Sequence, residues 1–201
     1  MLFLDPKKPT VTCISESCDK CTIRKTINCH FSLKQLTYFY VIVSPTFLLG
    51  GAGIYNVSGR SLVLWLFLIA AFFVIIEIRV MCSHCPHYAE PGASLKCWAN
   101  YGIIKVFTYR PGPMSLLEKS IFLSGFTTIW GYPIFFLFIS SQWFLLIVYL
   151  LTVMAFFTTL KLFLCSRCTN FACPLNGVEI STKKEFFKLN PEIAKAWDED
   201  V

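Results

Sequence analysis

The stretch that decides the fold is "SIFLSGFTTIWGYPIFFLFISSQWFLLIVYLLTVMAFFTTL", residues Ser120–Leu160, which contains no charged residue. A helix needs about 20 predominantly apolar residues to cross the hydrocarbon core of a bilayer, so the stretch is about twice too long for one crossing. Ser140, Ser141 and Gln142 lie near its middle. We therefore predict two transmembrane helices, over 118–139 and 143–164, joined by a tight turn.

Two more apolar segments precede this stretch. No charged residue occurs from Leu36 to Gly59 or from Ser61 to Ile76, and each run predicts one span, over 36–55 and 61–80. Only 15% of the residues are charged, whereas an average soluble domain carries about 25%. The predicted fold class is an all-α integral membrane protein whose four transmembrane helices contact the lipid bilayer.

The distribution of basic residues predicts the orientation. Four spans place both termini and the central loop on one side of the membrane, and all of the 18 Lys and Arg residues except Arg60 lie on that side or at its helix ends. The positive-inside rule makes that side cytoplasmic. We predict a multi-pass protein of the cytoplasmic (inner) membrane with both termini in the cytoplasm, and we expect no nucleic-acid partner.

The chain divides into five segments with a repeated order. Each predicted hairpin has a proline in its first span, a short outer turn, and a Cys-Ser-x-Cys motif after its second span. This order favours two parallel helical-hairpin repeats related by an axis along the membrane normal, which brings the two motifs to one depth. The segments are a Cys-rich arm (1–35), the first transmembrane hairpin (36–80), a Cys-containing loop (81–117), the second hairpin (118–164) and a Cys-containing tail (165–201).

Local patterns predict where several helices begin. Ser32–Gln35 and Ser115–Glu118 have the form of capping boxes at the first and third spans. Asn190 followed by Pro191 predicts the start of a last helix, and Thr182 predicts the start of a short helix before it. The apolar residues of this C-terminal part predict either a helix on the membrane surface or packing on the loop.

All ten cysteines fall on the predicted cytoplasmic side, and none lies in a predicted span. Cytosolic thiols are kept reduced, so clustered cysteines there indicate metal binding or redox chemistry and not structural disulfides. Three groups are present: Cys13, Cys18, Cys21 and Cys29 in the arm; Cys82, Cys85 and Cys97 with His87 in the loop; and Cys165, Cys168 and Cys173 in the tail.

These groups are candidate metal ligands because a C-x2-C pair directs two thiolates at one ion. Zinc takes four ligands in a tetrahedron, and an iron–sulfur cluster takes four cysteines. The arm group contains four cysteines by itself. The loop and tail groups allow two arrangements. They share one site through a quartet, or each has its own, completed by His87 in the loop and by Asn170 or an exogenous ligand in the tail. The quartet is Cys82, Cys85, Cys165 and Cys168.

The protein is predicted to bind an iron–sulfur cluster or zinc through these motifs, and the preferred function is electron transfer by iron–sulfur centres in a membrane redox system. The expected partners are a soluble redox protein or the other subunits of a membrane complex. A zinc-stabilised structural or metal-handling protein is one alternative. A thiol–disulfide oxidoreductase is another, because Arg79 and Arg167 stand beside the two pairs and positive charge lowers a thiol pKa. Glu77, the acidic residue within a span, is expected to pair with Arg79 or reach the interface. The sequence leaves open whether the protein is an enzyme.

Overall fold

The computed structural model describes residues 5–198. Four segments are long and apolar enough to cross a membrane, which confirms the prediction, and each predicted span lies inside one of them. Residues 5–198 contain no strand beyond two isolated bridges. The helices are α1 (Leu33–Tyr55), α2 (Gly59–Ala71), α3 (Glu77–Val80), α4 (Pro86–Ala89), α5 (Leu116–Ile139), α6 (Trp143–Thr159), α7 (Ile180–Leu189) and α8 (Pro191–Ala196).

The second and fourth membrane segments are composite. The second consists of α2, a π-helical turn (Phe72–Ile76), α3 and a 3-10 turn (Cys82–His84). The fourth consists of α6, a π-helical turn (Leu160–Leu164) and a 3-10 turn (Cys165–Arg167). We term the end of the bundle where these two segments finish, and where α1 and α5 begin, the thiol side.

Helix α1 lies against α2, α5 and α6 and is the centre of the bundle. Two glycines allow this close packing. A Cβ atom added to Gly53 would lie 2.4 Å from Leu137 Cδ2, and one added to Gly50 would lie 3.0 Å from Pro133 Cγ. Close backbone approach through small residues is a common basis of helix packing in membranes.

Both prolines inside membrane segments have their freed carbonyl groups satisfied. Proline removes the hydrogen bond to the carbonyl four residues earlier, and lipid offers no replacement. Trp65 Nε1 donates to the Ile129 carbonyl at 2.9 Å, which is the group that Pro133 frees. Ser44 Oγ donates to the Val41 carbonyl at 3.3 Å, which is the group that Pro45 frees.

The predicted capping box at α5 is confirmed, and the one at α1 is wrong. Glu118 N donates to Ser115 Oγ at 3.2 Å, and Ser115 N donates to Glu118 Oε2 at 2.9 Å. Ser32 is the N-cap of α1, but its side chain makes no capping hydrogen bond. Asn190 and Pro191 begin α8 as predicted, whereas the helix predicted from Thr182 already begins at residue 180.

Glu118 also holds the loop between the two hairpins. Its Oε1 accepts from Arg110 Nη2 at 2.7 Å and lies 3.7 Å from Arg79 Nη1, and its Oε2 lies 3.5 Å from His84 Nε2. The expected pair of Glu77 with Arg79 is therefore replaced by one of Arg79 with Glu118. Glu77 is buried in the protein, and its Oε2 has no hydrogen-bond partner.

The C-terminal helices pack against the N-terminal arm. Phe186, Phe187 and Ile193 are buried in one cluster with Ile23 and Ile27 of the arm. Thr12 Oγ1 donates to Asn190 Oδ1 at 2.8 Å, which adds a buried hydrogen bond between the two termini. The apolar face of α7 and α8 is thus covered by protein. Residues 1–4 of the arm and 199–201 of the tail lie outside the described residues.

Gly112 fixes the contact between the loop and α8. Its φ is +110°, a Cβ atom there would lie 2.8 Å from the Ala196 carbonyl oxygen, and its own carbonyl bonds His84 Nδ1 at 3.1 Å. Gly112→Ala is expected to lower the free energy of unfolding by about 2–4 kcal/mol, because strain and overpacking add. Thermal unfolding in detergent measures this.

Gly92→Ala is the matched control for this prediction. Gly92 has φ +111°, but nothing lies within 4 Å of its added Cβ. It therefore shares the backbone strain of Gly112→Ala without the clash. An equal loss of stability in the two variants would show that the contact of Gly112 with α8 contributes nothing.

Candidate metal centre

The two Cys-Ser-x-Cys motifs have the same local structure. Each follows a π-helical turn, begins in a 3-10 turn and ends at a cysteine with extended backbone. The extended residues are Cys85, with φ −79° and ψ 138°, and Cys168, with φ −82° and ψ 131°. Single π-helical turns inside α-helices are frequent at functional sites. The shared conformation presents the two pairs in the same way at the ends of two membrane segments.

The cysteines of the loop and of the tail line one cavity of about 530 Å³ on the thiol side. All ten cysteines lie in the described part of the chain, and none of them forms a disulfide. The six that line this cavity are Cys82, Cys85, Cys97, Cys165, Cys168 and Cys173.

Electrostatic interactions link the thiols of the loop to those of the tail. Cys168 lies close enough to Cys85, Cys97 and Cys173 for charged sulfur atoms to repel one another, and Cys85 has the same relation to Cys97 and Cys173. Cys82 neighbours Cys85 and Cys97. Cys173 in turn has Cys165 as a neighbour, so the interactions extend over all six cysteines of the cavity.

The thiols are gathered but are not arranged around a single point. Within residues 5–198, no three His, Cys, Asp or Glu side chains are placed so that they could hold a metal ion as they stand. Metal binding commonly couples to the folding of its site. A metal here would have to draw the sulfur atoms together.

Burial is the main cause of the pKa shifts of these thiols. It raises the pKa of Cys85, Cys97 and Cys168, and it raises the pKa of Cys173 to about 12. Reactive cysteines have lowered pKa values in exposed, electropositive surroundings. The pKa values of these buried thiols are raised, which is the opposite direction. A bound metal deprotonates a coordinating thiol outright.

The arginines beside the two pairs do not act on the thiols as expected. The Arg79 guanidinium lies near Glu118 and stacks on the Phe107 ring at 5.8 Å, and Arg167 is exposed.

Unpartnered polar atoms also surround the thiols. His87 is 4% exposed, lines the cavity, and its Nδ1 has no hydrogen-bond partner. Burial lowers the His87 pKa to about 4, so at neutral pH the ring is the uncharged imidazole that binds metals. Asn170 also lines the cavity with an unpartnered Oδ1, while its Nδ2 donates to the Met81 carbonyl at 3.2 Å.

Sequence reasoning did not identify Asn100 as part of this site. Its Nδ2 lies 3.3 Å from Cys82 Sγ, and it lines the same cavity. No pattern in the sequence marks an asparagine in the loop as the neighbour of a cysteine 18 positions earlier.

The arm cysteines form a second and smaller group. Cys13, Cys18, Cys21 and Cys29 line a cavity of about 20 Å³. The other three cysteines are near Cys29, and burial raises its pKa to about 12. A cavity of about 10–15 Å³ holds one water-sized particle, so this one suits a single ion.

The arm is joined to the tail motif by its backbone. Asn28 N donates to the Arg167 carbonyl at 2.8 Å, and a parallel bridge pairs Asn28 with Cys168. Cys29 of the arm group follows Asn28 in the sequence and therefore lies close to Cys168, which lines the large cavity. The two groups stay separate, because they line different cavities.

Comparisons of the chain with protein-family models, with curated proteins and with solved structures find no match.

Proposed function

We propose that this protein binds metal through its clustered cysteines and transfers electrons between a soluble donor and an acceptor inside the membrane. The observation that carries the proposal is the single cavity that six cysteines from two separate motifs line. This cavity continues from the thiols to aromatic side chains of the membrane segments, such as Phe126 and Phe156. An iron–sulfur centre at the thiol end supplies one-electron transfer.

The proposed ligands of the large cavity are Cys85, Cys97, Cys168 and Cys173, which are one cysteine of each C-x2-C pair and the cysteine that follows each pair. The electrostatic interaction of Cys168 with Cys85 and Cys97 links the tail to the loop and favours one shared centre over two separate triads. Cys82, Cys165 and His87 line the same cavity and stand as further ligands. The arm quartet, Cys13, Cys18, Cys21 and Cys29, holds a second metal.

The proposal includes the predicted orientation and the two hairpin repeats. The identical local conformation of the two motifs supports the repeats. The positive-inside rule supports a thiol side that faces the cytoplasm from the inner membrane. An impermeant maleimide is expected to label Val57→Cys in intact cells and Ser17→Cys only after lysis, since the two positions lie on opposite sides and are exposed. Labelling of Ser17→Cys in intact cells would reverse the orientation.

Anaerobic purification of the full chain, followed by elemental and acid-labile sulfide analysis, tests the function. Iron with sulfide and a brown colour is the expected result. Zinc without iron would favour the structural or metal-handling alternative, and chelation would then unfold the thiol side. A metal-free protein with a Cys82–Cys85 or Cys165–Cys168 disulfide would favour the thiol oxidoreductase and overturn electron transfer.

A further inference from the structure

The large cavity is bigger than a metal centre needs. Its volume is about 530 Å³, and pockets of about 300–1,000 Å³ are typical for small organic ligands. Beyond the thiols its walls are aromatic: Trp130 stacks on Phe156 with ring centroids 5.0 Å apart, and Phe47 lies 5.2 Å from Trp130. Aromatic walls of this kind bind flat aromatic rings by stacking.

The cavity opens sideways toward the lipid. Tyr40, which is 54% exposed, and the exposed Ser44 line it from α1. Ile69 and Phe73 line it from the second membrane segment. The opening arises because α1 packs along α2, whereas the π-helical turn and α3 pack against α5. The second segment therefore leaves α1 on the thiol side, where a molecule dissolved in the bilayer can enter.

Two buried polar atoms at this cavity lack partners. Trp130 and Glu77 are each 7% exposed, and Trp130 Nε1 and Glu77 Oε2 have no hydrogen-bond partner. Buried polar groups are almost always hydrogen-bonded, so each of these atoms needs a partner, which a ligand or an ordered water can supply. One atom is a donor and the other belongs to a carboxyl group. The ligand should therefore offer an acceptor to Trp130 in one of its states and a donor to Glu77 in the other.

The charge of the lining selects the head group. No Lys or Arg belongs to the residues that line this cavity in the described chain, whereas Glu77 and six cysteines do. The phosphate of a phospholipid would find no cation among these residues and would lie beside the Glu77 carboxyl group. A neutral head group is favoured.

We propose that the cavity binds a lipid-soluble quinone, which enters from the bilayer between α1 and the second membrane segment. The Trp130 indole donates to a carbonyl oxygen of the quinone, and the Glu77 carboxyl accepts from a hydroxyl of the reduced form. The ring stacks among Trp130, Phe47 and Phe156. The proposal names the membrane acceptor of the proposed function, and it rests on that function for the role of acceptor but not for binding.

The test is a titration of the full chain in detergent with decylubiquinone. Binding is measured as quenching of tryptophan fluorescence, since Trp98 and Trp130 line the cavity. Saturable quenching is expected. Ser44→Phe places a ring in the exposed mouth and is expected to abolish it. Val41→Phe, on the same helix, is 60% exposed and does not line the cavity, so it should bind like the unaltered protein. Glu77→Gln should bind the reduced form about tenfold more weakly, the effect of one hydrogen bond to a charged group.

Unsaturable quenching, or equal quenching in Ser44→Phe and Val41→Phe, would show partition into detergent and overturn the proposal. Metal content measured on the same samples separates the two proposals. A metal-bearing protein that does not bind the quinone overturns only this inference. A metal-free protein that binds it saturably overturns electron transfer by a metal centre and supports the quinone site.

Discussion

Replacing Cys168 by serine is expected to remove all metal from the large cavity. Cys168 neighbours Cys85 and Cys97 from the loop and Cys173 from the tail, so it belongs to any centre that the two segments share. A tetrahedral or cubane centre that loses one of its four thiolates loses most of its affinity, since serine is a poor ligand for soft metals. Elemental analysis of the anaerobically purified variant should find only the metal held by the arm.

Two comparisons make this prediction specific. Cys85→Ser should lose the same share of metal as Cys168→Ser, and the double variant should lose no more, because residues that act on one centre are not additive. Cys18→Ser should lose only the metal that the arm holds. Ser166→Ala changes the serine of the second Cys-Ser-x-Cys motif without removing a thiol, and it should keep both shares.

Separate triads would give a different result. Cys85→Ser and Cys168→Ser would then each remove a different part of the cavity's metal, and the double variant would remove their sum. That outcome would replace the shared centre with two sites, one in the loop and one in the tail.

The spans could be predicted from the sequence because a bilayer imposes a simple rule on length and charge. The chargeless run Ser120–Leu160 can satisfy its backbone in lipid only as helices, and the polar residues at 140–142 mark where it must turn. The capping box at Ser115 was equally predictable, since its two partners are three residues apart. Both features depend on neighbours in sequence.

The neighbours of each thiol could not be predicted in this way. The quartet expected from the two C-x2-C pairs contains Cys82 and Cys165, and the structure brings Cys97 and Cys173 to the same cavity. Cys97 reaches it because the loop folds back, with Leu95 N donating to the Ile103 carbonyl at 2.8 Å. Such a path depends on contacts between distant residues and leaves no periodic signal.

The two π-helical turns could not be predicted from the sequence either. An α-helix rotates by about 100° per residue, so the additional residue of a π turn changes which face the following side chains occupy. The turn at Leu160–Leu164 directly precedes Cys165, whereas α3 and Met81 separate the turn at Phe72–Ile76 from Cys82. A helical wheel drawn without the first turn assigns the wrong face to Glu77, which is buried and lines the cavity.

Glu118→Gln is expected to lower the free energy of unfolding by about 2–3 kcal/mol, below the cost of breaking a fully buried ion pair. The Glu118 and Arg110 side chains are 15% and 32% exposed, and their atoms are 2.7 Å apart. Glutamine can still accept from the Ser115 backbone and keep the capping box. The substitution therefore removes the charge that Arg110, Arg79 and His84 share without removing the cap. Chemical unfolding in detergent measures the loss.

The same variant tests whether the loop positions the metal. Arg110 Nη2 also donates to the Arg79 carbonyl at 2.9 Å, and its backbone N donates to the Ser83 carbonyl at 2.8 Å. Without the Glu118 charge the loop should detach from the end of the second membrane segment, protease cleavage within 81–117 should increase, and the large cavity should lose metal while the arm keeps its own. Glu185→Gln is the control, because Glu185 forms an exposed pair with Lys188 at 3.6 Å, and such pairs contribute about 1 kcal/mol or less. If Glu118→Gln and Glu185→Gln behave alike, the loop is held by its apolar contacts, and the position of Cys97 depends on Leu95 and Trp98 instead of on this carboxylate.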